Sequence, residues 1–189
     1  MKISGRNKLL SIIIIPLLLG ALYALYVTGQ GNFHLITDGE AYRSAQMDGD
    51  GLRDYINKYR IKSILNLRGR NTDEKWYIEE LKVSSEYGVR HYDIALSAHL
   101  EPTREETKIL MGFIKSAPRP VLIHCQAGAD RTGLVAAMWK VIVNKESKTE
   151  AAKQLSVWYG HMPVGPASAM DNFFEKWLPE PTGANNKQT

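Results

Sequence analysis

The sequence predicts an α/β fold in which a parallel-rich central sheet is flanked by helices. Short apolar runs of strand length alternate with longer segments that have helical periodicity. Residues 134–143 are apolar on nearly every side, which is typical of a helix buried against the middle of a sheet. In such a fold, ligands bind at the carboxyl ends of the parallel strands, where the connecting loops meet.

The first half of the domain is predicted from turn, capping and strand signals. Thr37-Asp38-Gly39 is a hairpin signal, Asp48 is a helix N-cap, and Gly88 ends a helix. The predicted elements are strands at 32–36 and 40–43, a helix at 48–58, a strand at 61–67, a helix at 73–86 and a strand at 89–94.

The second half is predicted from a capping box, a proline break and apolar runs. Thr103 and Glu106 have the spacing of a capping box, and the prolines of residues 117–120 end the helix that follows it. The predicted elements are a helix at 103–116, a strand at Val121–His124, the buried helix at 134–143, and helices near 149–159 and 167–177. The folded domain is expected to cover residues 30–178, with a flexible tail at 179–189.

The charge distribution argues against nucleic acid as a partner. Three of the 24 lysines and arginines, Lys2, Arg6 and Lys8, precede the domain with no acidic residue among them. The rest of the chain carries 21 basic and 20 acidic residues, so any attraction for an anion must be local. The single cysteine, Cys125, excludes an intrachain disulfide.

Residues 1–29 are predicted to be a membrane anchor or a signal peptide. Residues 9–27 form an apolar run that is long enough to cross a bilayer. Because basic residues precede this run, we expect the chain to contact the membrane through residues 9–27 and the domain to lie outside the cytoplasm. If cleavage near Gly29 removes the segment, the domain is instead released into the periplasm or an equivalent space.

The segment 121–133, VLIHCQAGADRTG, is the most informative part of the chain. It places Cys125 six residues before Arg131, after an apolar strand and before the buried helix. A loop at a helix N-terminus directs backbone N–H groups and the helix dipole towards an anion. These donors favour a thiolate nucleophile at Cys125 and would hold a phosphate over its sulfur. We call residues 125–131 the anion-binding loop.

The motif HCQAGADRT at residues 124–132 resembles the signature of cysteine-dependent protein tyrosine and dual-specificity phosphatases. Two earlier segments, AYRSAQ at 41–46 and ILNLR at 64–68, resemble segments of the compact bacterial and plant-type dual-specificity group. The resemblance covers residues 35–159. It implies the cysteine-phosphatase fold, with the anion-binding loop between a central strand and a buried helix.

The resemblance also implies a two-step hydrolysis through a phosphocysteine. Cys125 would attack phosphorus, and Arg131 would hold the phosphate oxygens in a bidentate manner. Thr132 would hydrogen-bond the sulfur, and His124 would orient the loop and tune the thiol. No cofactor and no metal is expected. The remaining phosphate contacts would come from the backbone N–H groups of Gln126, Ala127, Gly128, Ala129, Asp130 and Arg131.

The general acid is where the sequence departs from the family pattern. The family supplies an aspartate from a loop about 25–35 residues before the cysteine, to protonate the leaving oxygen. Asp93 has this separation, but residues 97–99 (Ser-Ala-His) occupy the loop itself. Asp130 is similar to the aspartate of the Asp-Arg-Thr motif in lipid-directed cysteine phosphatases. Asp130 and Asp93 are therefore about equal candidates, and Glu101 is the third.

These features predict a protein tyrosine or dual-specificity phosphatase that acts on phosphorylated proteins. Asp130 favours an alternative, a phosphoinositide or inositol phosphate substrate, and the departure at the general acid leaves open a catalytically weak phospho-binding module. Among the other polar residues, Arg43 is expected to tie the N-terminal hairpin to the anion-binding loop. Arg68 is predicted to form a structural ion pair at least as readily as a substrate contact, and His161 to be a turn residue.

Overall fold

The protein folds around one five-stranded sheet. The structure, a computed structural model, describes residues 31–179 together with residues 12, 14–18, 20, 22, 23 and 29. In order, the elements are β1 (His34–Thr37), β2 (Ala41–Ser44), α1 (Gly49–Tyr59), β3 (Ser63–Asn66), α2 (Lys75–Glu86), β4 (Arg90–Asp93), α3 (Arg104–Ser116), β5 (Val121–His124), α4 (Asp130–Ile142), α5 (Lys148–Ala151) and α6 (Ala169–Lys176).

The topology of the sheet confirms the predicted α/β class. The strand order is β1-β2-β5-β3-β4, in which only β1 and β2 pair antiparallel. His124, the last residue of β5, lies opposite Ser44 of β2 and Asn66 of β3. The carboxyl ends of three parallel strands therefore meet where the anion-binding loop begins.

Capping side chains set the starts of the helices. Asp48 accepts a hydrogen bond from the Gly51 N–H at the start of α1, and Thr103 and Glu106 form the predicted capping box of α3. The helix predicted at 73–86 begins two residues later, at Lys75. The reason is a turn before it, in which the Glu74 N–H donates to the Asn71 carbonyl at 2.9 Å.

Helices cover both faces of the sheet. Residues 132–139 of α4 are all buried, as predicted for the helix that follows the central strand. Val121 and Ile123 of β5 pack in one apolar cluster with α3, α4 and α6, whereas Leu122 packs in a second cluster with α1 and α2. The central strand is thus buried on both sides, which gives the loop after it a rigid base.

The helix predicted near 149–159 does not form as one element. Helix α5 ends at Ala151, and 3₁₀ turns at Ala152–Gln154 and Val157–Tyr159 follow it. The Gln154 carbonyl, which a continuous helix would use internally, instead accepts from the buried Arg43 guanidinium at 2.8 Å. The helix near 167–177 is likewise shorter, with a 3₁₀ turn at Gly165–Ser168 before α6.

The predicted membrane anchor is corrected. Most of residues 9–27 lie outside the described residues, as do residues 180–189 of the predicted tail. Among the residues that are described, no helix has the length and apolar character needed to cross a membrane. A spanning helix needs about 20 consecutive apolar residues. The predicted membrane-anchored location, with residues 9–27 as the membrane contact, is therefore contradicted.

Candidate active site

An open cavity of about 530 Å³ lies at the carboxyl edge of the sheet. Cys125, only 2% exposed, lines it directly after β5. The other lining residues come from the loops after β2 and β4, from the segment before β1 and from the anion-binding loop: Gly31, Asn32, Ala45, Gln46, Ala98, His99, Gln126, Ala127, Asp130 and Arg131. Several chain segments therefore surround the one thiol.

The anion-binding loop makes a turn that only glycine allows at position 128. Gly128 has a φ of +70°, and a Cβ there would lie 2.6 Å from the backbone atoms of Ser44 and Ala45. The loop also pairs with the segment after β2, where the Gln46 N–H donates to the Gln126 carbonyl at 3.1 Å. Because α4 begins at Asp130, its free N–H groups and the positive end of its dipole lie at the loop.

Arg131 is held at the cavity by two neighbouring loops. Its Nη1 donates to the carbonyls of Leu67 and Leu96, each at 3.3 Å, and these residues follow β3 and β4. The side chain is partly exposed, so its other N–H groups are available to an anion above Cys125. The loops of two further strands thus orient the guanidinium.

A buried carboxylate, Glu80 of α2, organises the residue before the cysteine. It is 4% exposed and accepts from His124 Nε2 at 3.1 Å, His91 Nε2 at 2.7 Å and Gln46 Nε2 at 2.8 Å. Burial alone would raise the pKa of Glu80, but the His124 charge and the three hydrogen bonds outweigh it and lower the pKa strongly. Glu80 is therefore ionised and fixes the orientation of His124.

A second buried cluster lies at the other end of the loop. His161, fully buried, pairs with Asp130 through Nδ1 at 2.6 Å and with Asp171 of α6 through Nε2 at 2.8 Å. Burial lowers the pKa of His161, but the hydrogen bonds and charges of the two aspartates outweigh it, so the net pKa is raised. His161 joins the anion-binding loop to α6, a role beyond that of a turn residue.

The other two acid candidates are engaged elsewhere. Asp93 is the last residue of β4 and accepts from Asn66 Nδ2 at 2.9 Å and from the Tyr77 hydroxyl at 2.6 Å. Glu101 pairs with Lys176 of α6 at 2.7 Å on the surface. Neither is among the residues that line the cavity, whereas Asp130 is.

Thr132 and Arg68 also lie close to the loop. The Thr132 hydroxyl is buried with no hydrogen-bond partner in the described part of the chain, so it is free to bond an incoming group or the sulfur. Arg68 lies with its guanidinium 3.8 Å above the Trp76 ring. Burial and then the nearby Arg131 charge lower the pKa of Arg68.

A family model described as "DSP-PTPase phosphatase fused to NAD+ Kinase" matches residues 29–165, more than half of the chain. The chain belongs to this family. It is a family of cysteine-dependent phosphatases of the dual-specificity type, as the motif at 124–132 predicted.

Individual relatives agree with the family. The chain is 31% identical over 100 residues to the inositol diphosphatase SIW14 of Saccharomyces cerevisiae, a match that covers 50% of this chain and 34% of that protein. The chain therefore spans about a third of the length of this curated relative.

Two solved structures share the fold. The catalytic core of the same yeast enzyme superposes with a TM-score of 0.63 at 25% identity, covering 79% of this chain and 87% of that one. TpbA of P. aeruginosa gives a TM-score of 0.60 at 20% identity, with 78% and 85% covered.

Arg43 lies near the anion-binding loop, as predicted: it donates to the Gly128 carbonyl at 2.9 Å, and burial lowers its pKa to about 10. Three other polar residues of the site, Glu80, Asn32 and Gln46, were not predicted from the sequence. Glu80 had a weak signal, since it shares a helical face with Tyr77 and Val83. Asn32, which donates to the Ala127 carbonyl at 2.8 Å, and Gln46 had none, because their partners are distant in sequence.

Proposed function

We propose that this phosphatase hydrolyses phosphotyrosine in proteins, with phosphoserine and phosphothreonine as further substrates. The observation that carries the proposal is the position of Cys125 in the cavity, at the N-terminus of α4 and beside Arg131. This arrangement supplies a nucleophile and an anion clamp at one point, as phosphoryl transfer through a covalent intermediate requires.

The reaction runs in two displacements. The Cys125 thiolate attacks phosphorus, the sulfur–phosphorus bond forms, and the bond to the leaving oxygen breaks. Backbone N–H groups of residues 126–131 and the Arg131 fork hold the three remaining oxygens as charge develops. Water then attacks the phosphocysteine, and the buried Thr132 hydroxyl stabilises the departing sulfur. His124, fixed by Glu80, keeps the start of the loop in register.

The charge of the cavity supports a substrate with one phosphate group. Among the described residues that line the cavity, Arg131 is the only arginine or lysine, and Asp130 carries the opposite charge. Small residues, Gly31, Ala45 and Ala98, line part of its wall, which leaves room for an aromatic ring. A multiply phosphorylated ligand would require more cations than this wall supplies.

An inositol phosphate or phosphoinositide substrate is the second candidate. The relative that supports it is the yeast inositol diphosphatase. Arg68, on which the Arg131 charge acts, would supply a second positive charge.

Turnover of phosphotyrosine peptides and of inositol phosphates, measured in parallel, tests the proposal. We expect higher kcat/KM for the peptides, and preference for the inositol phosphates would replace the first candidate with the second. Cys125→Ser should lower kcat on the order of 10⁶-fold on any substrate. Arg131→Lys should lower it about 10²–10³-fold, because an ammonium cannot form the bidentate contact. A wild-type protein that binds phosphopeptide without releasing phosphate would contradict both candidates.

A further inference from the structure

His161 lies between two carboxylates that each reach solvent. The imidazole is fully buried, whereas 30% of the Asp130 side chain and 34% of the Asp171 side chain are exposed. Because an ionised carboxylate only accepts hydrogen bonds, both ring nitrogens of His161 donate, as they do in an imidazolium. The cluster therefore holds a proton that no step of the hydrolysis described so far uses.

The two carboxylates face different cavities. Asp130 lines the cavity that contains Cys125. Asp171 lines a separate groove of about 410 Å³ between α5 and α6. The groove is lined also by Lys148, Thr149, Ala152, Leu155, Phe174 and Glu175. One buried imidazole thus connects the reactive cavity with solvent on the far side of the anion-binding loop.

We infer that Asp171, His161 and Asp130 form a proton relay that protonates the leaving oxygen. The inference rests on the proposed phosphatase reaction and adds the proton source to it. As the phosphorus–oxygen bond breaks, Asp130 gives a proton to the leaving oxygen and takes one from His161 Nδ1. The imidazole stays neutral and continues to donate from Nε2 to Asp171. In the second step, Asp130 takes a proton from the attacking water and returns it to His161.

The surrounding charges are compatible with this transfer. Arg131 follows Asp130 directly, and the Arg43 guanidinium contacts the Gly128 and Ala129 carbonyls on the inner side of the loop. Tyr159 lies over Arg43 at 4.1 Å. Lys148 and Glu175 line the groove beside Asp171. The stored proton resides on His161, which lies between the two aspartates.

His161 should carry the relay proton at low pH and lack it at high pH. Since the folded pKa of His161 is raised, its proton is present below the ordinary histidine value of 6.5 and is lost as pH rises through the folded value. The reaction should therefore lose rate on the basic side for substrates whose leaving oxygen needs a proton. Aryl phosphates with good leaving groups need it much less.

The test compares an alkyl phosphate, a phosphoserine peptide, with p-nitrophenyl phosphate over a pH series. Asp130→Asn and His161→Gln should lower kcat for the phosphoserine peptide by about 10²–10⁴-fold. They should also remove the decrease in kcat at high pH, which is the basic limb of the pH–rate profile. Turnover of p-nitrophenyl phosphate should fall less than about tenfold. Asp50→Asn is the matched control, because Asp50 is also an aspartate in the first turn of a helix. This variant should leave kcat for both substrates unchanged.

Asp171→Asn keeps the test decisive if the buried His161→Gln variant fails to fold. Its side chain is partly in solvent, and its loss should lower the pKa of His161 and move the basic limb to lower pH. An unmoved limb would overturn the relay, as would equal losses on both substrates, which indicate a purely structural bridge. Loss of the limb in His99→Gln alone would assign the proton to His99. Failure of the phosphatase reaction itself would be distinct, because wild type would then turn over neither substrate.

Discussion

Two buried clusters of histidine and carboxylate groups lie at opposite ends of the anion-binding loop. One is centred on a carboxylate and the other on an imidazole. Before the loop, one carboxylate, Glu80, accepts from two imidazoles and an amide. After the loop, one imidazole, His161, lies between two aspartates. The first cluster is organised around a fixed negative charge, and the second around a proton.

Solvent access separates the roles of the two clusters. The side chains of Glu80 and His124 are 4% and 3% exposed, so this charge stays in place and stabilises the loop. The aspartates of the second cluster are each about a third exposed, which lets its proton exchange with solvent. The Glu80 charge, which has almost no contact with water, is suited to stabilising the structure. The His161 proton, which can reach water through two aspartates, is suited to proton transfer.

Removal of the fixed charge should have the largest effect on stability. Glu80→Leu leaves His124, His91 and Gln46 without their shared acceptor, so we expect a loss of about 3–5 kcal/mol in the free energy of unfolding, measured in urea. Glu79→Leu, on the exposed face of the same helix, is the control and should change stability by less than about 0.5 kcal/mol. Similar losses in both variants would mean that the Glu80 cluster does not stabilise the loop.

The second cluster should stabilise less and in the opposite pH range. Asp171→Asn should cost about 1 kcal/mol, a value reduced because a third of Asp171 is in water. The cost should be full below pH 6.5 and should vanish as pH rises through the raised pKa of His161. Chemical unfolding of wild type and variant at pH 5.5 and 9 measures this difference.

The Glu80 cluster provides the contrast in the same experiment. Since the folded pKa of Glu80 is lowered from 4.5, its stabilisation is present above about pH 4.5 and declines as pH falls below it. If both clusters lost their contribution to stability at the same end of the pH range, the opposite roles assigned to them would be wrong.

Local signals explain what the sequence could predict. The strand Val121–His124, the cap at Asp48 and the capping box at Thr103 depend on residues within one or two turns of each other, and the structure confirms each of them. The anion-binding loop is equally local, because Cys125, Gly128 and Arg131 fall within seven residues. Its position at the sheet edge follows from the alternation of strands and helices.

Contacts between distant segments explain what the sequence could not predict. Glu80 meets His124 across 44 residues, and His161 meets Asp130 across 31. The helix predicted near 149–159 is interrupted because Arg43, more than 100 residues earlier, takes the Gln154 carbonyl. Apolar periodicity does not predict such pairings, because it does not indicate which buried polar groups will contact each other.

A smaller effect than that of Glu80 is expected at Asp93, the acid candidate whose carboxylate lies 3.7 Å from His91 Nδ1 at the edge of the Glu80 cluster. Asp93→Asn weakens its bonds to Tyr77 and Asn66, so stability should fall by about 1–2 kcal/mol. The basic limb for phosphoserine peptide should stay where it is in wild type, in contrast to Asp130→Asn. A lost limb in Asp93→Asn would return the general acid to the position that the family spacing favours.

The smallest effect is expected at Glu101, the third acid candidate. Its carboxylate pairs at 2.7 Å with Lys176 on the surface of α6, the helix that also carries Asp171. An exposed pair of this kind contributes about 0–1 kcal/mol, so Glu101→Gln should leave thermal unfolding nearly unchanged. The pH–rate profile of the variant is the sharper measurement. A shift of the basic limb in Glu101→Gln would mean that the Glu101–Lys176 pair on α6 affects proton transfer although it lies outside the His161 cluster. The division of roles between a structural Glu80 cluster and a proton-holding His161 cluster would then be wrong.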